Sequence, residues 1–138
     1  MFEWKDDYSI HIKLSDAEHR KLFRIGEELH EALIAASGKT ALVRVLRRLA
    51  RLTGVHFAHE EGLLLRHGYP DLAAHKAQHA ALVRQIRKLG DDLEADRTTL
   101  TVDFLLRLKD WLESHIRNSD RRYVPYLKSE PVSQPAPA

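Results

Sequence analysis

The sequence contains no cysteine. That excludes a disulfide scaffold, thiolate zinc sites and thiolate iron–sulfur ligation, and it fits a reducing cytoplasm as the expected location. No run of about 18 apolar residues occurs, so no membrane span is expected. The first residues, MFEWKDDYSIHIK, lack the apolar stretch of a secretory signal. Neither sign of charge dominates: 22 Lys and Arg face 20 Asp and Glu, a net of +2. This balance gives no electrostatic case for nucleic acid as a partner. What is present is 138 residues, 43% of them hydrophobic and 30% charged, enough for one soluble domain with a real core.

The apolar pattern is helical throughout. After an arm with Phe2, Trp4 and Tyr8, the string SDAE at 15–18 has the form of a capping box, Ser15 with Glu18. Leu22, Ile25, Leu29 and Leu33 follow at helical spacing, and Gly38 is the expected stop. A second helix is expected from about Thr40 to Gly68, and a third from Asp71 into the nineties. RTTLT at 97–101 supplies threonine caps, and a fourth helix carries Leu105, Leu108, Trp111, Leu112 and Ile116. Four amphipathic helices with short connections predict an all-α, antiparallel up-down four-helix bundle with an N-terminal arm. Residues 1–128 would form it. The Pro- and Ala-rich segment 129–138 would be a disordered tail or linker.

Polar residues interrupt this pattern in a particular way. HFAHEEGLLLRHGYPDLAAHKAQH, residues 56–79, crowds imidazoles and carboxylates into helices that must bury a face, and a core does not hold such groups unpaired. His75 and His79 lie one turn apart on the third helix, as do His56 and Glu60 on the second. The first helix supplies His19, and the fourth supplies His115 and Asp120. Counting from the Gly68 corner, His56 and His75 are staggered by about 7 Å, so Glu60 and His79 can share their layer. The five-residue step from His115 to Asp120 leaves about 140° on a straight α-helix. A distortion is therefore expected near Asn118 and Ser119, which are poor helix formers. A metal site contributed by all four helices accounts for the set better than a buried polar network does.

The strings DAEH, HFAHEE, GYP followed by two histidines, and WLESHIRNSDRRY closely resemble the hemerythrin family, and bacterial single-domain members in particular. The resemblance covers about residues 4–127 and implies a non-haem di-iron centre. By motif position His75, His79 and His115 would hold one iron, and His19 and His56 the other. Glu60 and Asp120 would bridge both, with an oxo or hydroxo bridge between them. On two octahedral ions, five imidazoles, two bridging carboxylates and one shared oxygen leave a single open position, on the iron with two histidines. Dioxygen is the implied ligand. Trp111, Leu112 and Ile116 match positions that line the family's oxygen pocket, although plain core packing also explains them.

Two acids among neutral imidazoles favour reversible binding over O–O cleavage, because fewer anionic donors stabilise high-valent iron less. The expected function is thus an oxygen carrier, storage or delivery protein rather than an enzyme, with monomer favoured and with dioxygen and a redox or oxygen-consuming protein as partners. Rival readings are an oxygen- or redox-sensing module, a di-iron enzyme with peroxidase, nitric oxide or iron-oxidising activity, and metal storage.

Other residues have plainer readings. His67 is a helix C-terminal cation, and His30 is solvated. His59 points off the ligand face, as does Glu61 beside Glu60. Asp16 supports its helix N-terminus. RVLRRLARL at 44–52 is a solvated face with snorkelling arginines. His11 stands where the family pattern has a glycine or small residue. It is read either as an exposed arm histidine or as a group tuning access to the pocket.

Overall fold

The computed structural model describes residues 1–127; the expected tail at 129–138 lies outside them. Helices run over Lys13–Ile34 (α1), Lys39–Arg66 (α2), Leu72–Glu94 (α3), Val102–Ser114 (α4) and Arg121–Leu127 (α5). A π-helical turn, His115–Asp120, joins α4 to α5, and a short 3-10 turn, Asp6–Tyr8, lies in the arm. No strand occurs among the described residues. The α4–π–α5 rod is the fourth helix of an up-down bundle. Leu29, Leu46, Leu49, Leu64, Ile86 and Leu105 fill its interior, each at 1% exposure or less.

The connections are closed by backbone geometry. α2 stops where expected: Gly68 adopts φ +65, and the Tyr69 N–H reaches back to Leu64 O at 3.0 Å. α1 ends earlier than expected. Ala36 takes the left-handed conformation at φ +52, with Ser37 N–H on Ala32 O and Ala36 N–H on Leu33 O, both at 3.1 Å, the paired bonds of a Schellman end. Gly38, at φ +90, therefore stands at the N-cap of α2 and not at the end of α1. Thr101 caps α4, its Oγ1 accepting from Phe104 N–H at 3.2 Å.

The capping box does not form. α1 already begins at Lys13, after Ile12, so Ser15 lies buried within the first turn. Asp16 does the organising. Its carboxylate accepts the Ile10 N–H at 2.9 Å and the Ser9 hydroxyl, tying the arm to the start of the helix. Freed from a capping role, Glu18 turns towards α2. The arginines at 44–52 are not simply solvated. Arg47 pairs with Asp91 and Glu94 of α3, and Arg48 pairs with Glu28 of α1.

The arm closes one flank of the bundle. Phe2, Tyr8, Ile10 and Ile12 are buried, and Tyr8 donates a hydrogen bond to Glu113. The Arg117 guanidinium lies over the Tyr8 ring and pairs with Asp7 at 2.9 Å. Arg121 donates to the Asp7 and Ser9 carbonyls. Phe2 packs against the backbone of Gly26, where an added Cβ would come within 2.6 Å of the ring. Alanine normally favours a helix over glycine by about 1 kcal/mol, but here it displaces a buried phenylalanine worth about 2–3 kcal/mol. Gly26→Ala is expected to destabilise the protein by about 1–2 kcal/mol in chemical denaturation, and a stabilised variant would show that Phe2 contributes little.

Candidate metal centre

Seven polar side chains converge inside the bundle, and all are buried: His19, His56, Glu60, His75, His79, His115 and Asp120. They form two overlapping groups. Glu60, His75, His79, His115 and Asp120 bring one donor atom each within 4.8 Å of one another, and His19, His56 and Glu60 do the same. The π-helical turn is what admits Asp120. Bonding to the fifth residue instead of the fourth adds a residue to the turn, which brings residues 115 and 120 towards one face. The distortion expected from the five-residue step falls at this place.

The two carboxylates divide their oxygens between the groups. Glu60 Oε1 lies 2.8 Å from His75 Nε2 and 3.1 Å from His79 Nε2. Its Oε2 lies 3.5 Å from His56 Nε2 and 3.9 Å from His19 Nε2. Asp120 Oδ1 faces His75 and His115, at 3.2 and 3.1 Å, while Oδ2 faces His19 at 3.2 Å.

These contacts fit a cation better than they fit protein hydrogen bonds. The Nε2 atoms of His79 and His115 approach to 3.0 Å, although the Nδ1 of each already faces an acceptor, Glu61 at 2.8 Å and Gln78 at 3.0 Å. With both Nδ1 atoms protonated and neither ring charged, this would set two lone pairs against each other. His19 Nε2 and both Asp120 oxygens are buried with no hydrogen-bond partner. Neighbouring ligands on an octahedral ion with bonds of about 2.1 Å lie about 3.0 Å apart, against about 3.4 Å on a tetrahedral one. The separations of 2.8 to 3.2 Å around the five-residue group match the octahedral spacing and are also ordinary hydrogen-bond lengths, so the facing Nε2 atoms and the unpartnered buried atoms are what favour a cation.

Electrostatics follow from the same packing. Burial pushes the Glu60 carboxyl up, but the surrounding imidazoles outweigh it and hold the group well below the ordinary carboxylate range. Asp120 is also lowered: burial and the nearby Glu60 raise it, and His115, His19 and His75 more than compensate. Burial pushes the His56 imidazole down, yet Glu18 and Glu60 raise it to about 10. His75 rises to about 9 against its burial because Asp120 and Glu60 face it.

Around the donors sits a set of partners that spacing alone did not assign. His56 Nδ1–H donates to Glu18 at 2.9 Å, and His79 Nδ1–H donates to Glu61. His115 Nδ1–H donates to Gln78. Each partner is the sequence neighbour of another member of the cluster: Glu18 of His19, Glu61 of Glu60, Gln78 of His79. That adjacency was the available signal. The buried Tyr123 hydroxyl donates to Glu60 Oε2 at 3.0 Å, fixing the carboxylate from below.

The apolar wall is aromatic as well as aliphatic. Leu112 and Ile116 are buried. Trp111 stacks on His115 with centroids 4.5 Å apart and planes at 15°. Phe57, which the ligand spacing did not single out, stacks on His79 at 3.6 Å and 3°.

The remaining histidines lie outside both groups. His11 is exposed at φ +61, a left-handed conformation that suits glycine. His59 is exposed and bonds the second oxygen of Glu18 at 3.0 Å. His67 Nδ1 lies 3.0 Å from Leu63 O at the end of α2. His30 is not fully solvated: its side chain is 18% exposed and lies 3.5 Å from Glu27.

The raised imidazoles make the metal-free protein pH-sensitive. A group whose folded pKa exceeds its unfolded value stabilises the fold fully below the unfolded value and loses that contribution as pH rises through the folded one. For His56 the window runs from 6.5 to about 10. The lowered Glu60 loses its contribution as pH falls below 4.5. Metal-free protein is therefore expected to melt highest between pH 4.5 and 6.5 and to lose melting temperature towards pH 10. Metal-loaded protein, whose imidazoles bind as neutral donors, should lack the alkaline fall. A flat metal-free profile above pH 6.5 would contradict the ion pairing.

Comparison with known proteins agrees with this geometry. The family model of the hemerythrin HHE cation binding domain matches residues 11–127. A bacteriohemerythrin of Stenotrophomonas maltophilia is 30% identical over 132 residues, covering 91% of this chain and 81% of its own. One from Pseudomonas aeruginosa strain LESB58 is 32% identical, covering 88% and 78%. The crystal structure of a wild-type hemerythrin superposes with a TM-score of 0.84 at 28% identity, covering 91% of this chain and 96% of that one. The chain belongs to the hemerythrin family.

Proposed function

We propose that this protein binds dioxygen reversibly at a non-haem di-iron centre held by His19, His56, Glu60, His75, His79, His115 and Asp120. The observation that carries the reading is the division of two buried carboxylates between two imidazole groups, one oxygen of each acid towards each group. Such an arrangement suits two adjacent cations of octahedral preference. When bound, the two irons supply the redox couple and a coordination position for dioxygen.

The chain's own residues do the rest. His75, His79 and His115 would hold one ion, and His19 and His56 the other. Glu60 and Asp120 would bridge them, and Tyr123 orients Glu60. Leu112, Ile116, Phe57 and Trp111 would shield the centre from water, and a water-poor centre slows loss of charged oxygen species. One chain contributes all seven side chains, so the centre needs no second copy. Two acids among five imidazoles support carriage, storage or delivery over oxidative turnover. Among the described residues no helix is long and apolar enough to cross a membrane.

An anaerobic optical titration with metal analysis tests this. Reduced protein is expected to carry about two irons per chain, to gain visible bands on admission of oxygen, and to lose them when oxygen is removed. Bands that form once and decay, with substrate consumed over many turnovers, would replace carriage by an enzyme. Protein that takes up no iron when iron is supplied would end the di-iron reading. Glu60→Ala should reduce iron affinity at least tenfold, consistent with the effect of losing far less central groups.

His11→Gly tests access. If the imidazole tunes entry or proton supply, the variant's autoxidation rate changes. An unchanged rate restricts His11 to its place in the arm.

A further inference from the structure

The three outer partners of the histidines are not chemically alike. His56 and His79 donate their Nδ1–H to carboxylates, Glu18 and Glu61. His115 donates to a neutral amide oxygen, Gln78 Oε1, at 3.0 Å. The same oxygen accepts the Ser119 hydroxyl at 2.9 Å. Both of its lone pairs are therefore used, and the amide is held in one orientation although Gln78 itself is exposed on α3. It spans from α3 to both ends of the π-helical turn, gripping residue 115 and residue 119.

We propose that Gln78 is a positioning residue with two separable effects: it fixes the His115 ring with Nε2 turned into the centre, and it keeps that imidazole a weaker donor than His79. This rests on the di-iron reading above. An outer carboxylate strengthens a metal-bound imidazole as a donor, whereas an uncharged acceptor does so less. Of two histidines assigned to the same ion, His79 is thus the strong donor and His115 the weak one. The weak donor favours the reduced ion, the form that takes up dioxygen.

The experiment compares iron-loaded wild type with Gln78→Glu, Gln78→Ala and Glu61→Gln, reading iron affinity and the ratio of reduced to oxidised iron at a fixed ambient potential. Gln78→Ala loses the grip on the ring, and its iron affinity is expected to fall by about 10–100-fold. Gln78→Glu restores the hydrogen bond and hence the affinity. Its ratio of reduced to oxidised iron is nevertheless expected to fall by about tenfold, because an anionic partner makes His115 the stronger donor. Glu61→Gln should move the ratio the other way. Because Gln78 is exposed, the two metal-free Gln78 variants should melt with wild type.

If Gln78→Glu matches wild type in both affinity and ratio, the donor-strength half is overturned and Gln78 only holds the ring. If Gln78→Ala also keeps full affinity, both halves are overturned. Wild type that loads no iron would instead overturn the di-iron reading, and this proposal with it, a result distinguishable because it appears before any variant is compared.

Discussion

Two ionised carboxylates sit at 3% exposure or less inside a bundle of leucines. Moving such groups out of water costs several kcal/mol each even after relaxation, and the remaining architecture offsets that cost. Five imidazoles surround Glu60 and Asp120. Three of the imidazoles are in turn held by groups nearer the surface, and one buried hydroxyl, that of Tyr123, completes the shell of Glu60. A cation removes the conflict that is left, because it converts opposed lone pairs and orphaned oxygens into a shared set of donors. The polar interior is therefore consistent with a fold finished by metal and not by further protein contacts.

The outer partners are handed from one helix to the next. Glu18 of α1 serves His56 of α2, Glu61 of α2 serves His79 of α3, and Gln78 of α3 serves His115 at the start of the π-helical turn. Each of the first three helices thus positions its neighbour's imidazole as well as its own. The series does not close: His19 Nδ1, on α1, is buried without a hydrogen-bond partner. These four histidines consequently grade from carboxylate-backed to amide-backed to unbacked. Chemically distinct donors arise from one residue type.

Much of this was legible in the sequence. The ligand candidates stand at i and i+4 on two helices, singly on the first and five residues apart on the fourth, a pattern that residue spacing exposes without coordinates. The Gly68 corner and the Thr101 cap were equally visible. Three features were not. The first turn of α1 is organised by Asp16 gripping the arm, which overrides the Ser15–Glu18 box, and the arm's path is a tertiary fact. The end of α1 falls on Ala36 because the Schellman bonds close there, and Gly38 is used one step later. Gln78 carried no signal beyond its adjacency to His79. An amide on an exposed helix position gains meaning once it is known which histidine the adjacent helix presents.

The π-helical turn sets a rule for the length of the fourth helix. It carries one residue more than an α-helical path would need between His115 and Asp120. Straightening the turn into an α-helix with all its residues kept would give a more regular rod, and would also swing all that follows by about 100°, taking Asp120 and Tyr123 away from the centre together. The irregularity therefore works as a register key. Loops elsewhere in the bundle can drift in length during divergence or redesign, while the residue count from His115 to Tyr123 and the π-helical turn must change together if a carboxylate and a phenol are to reach the same point.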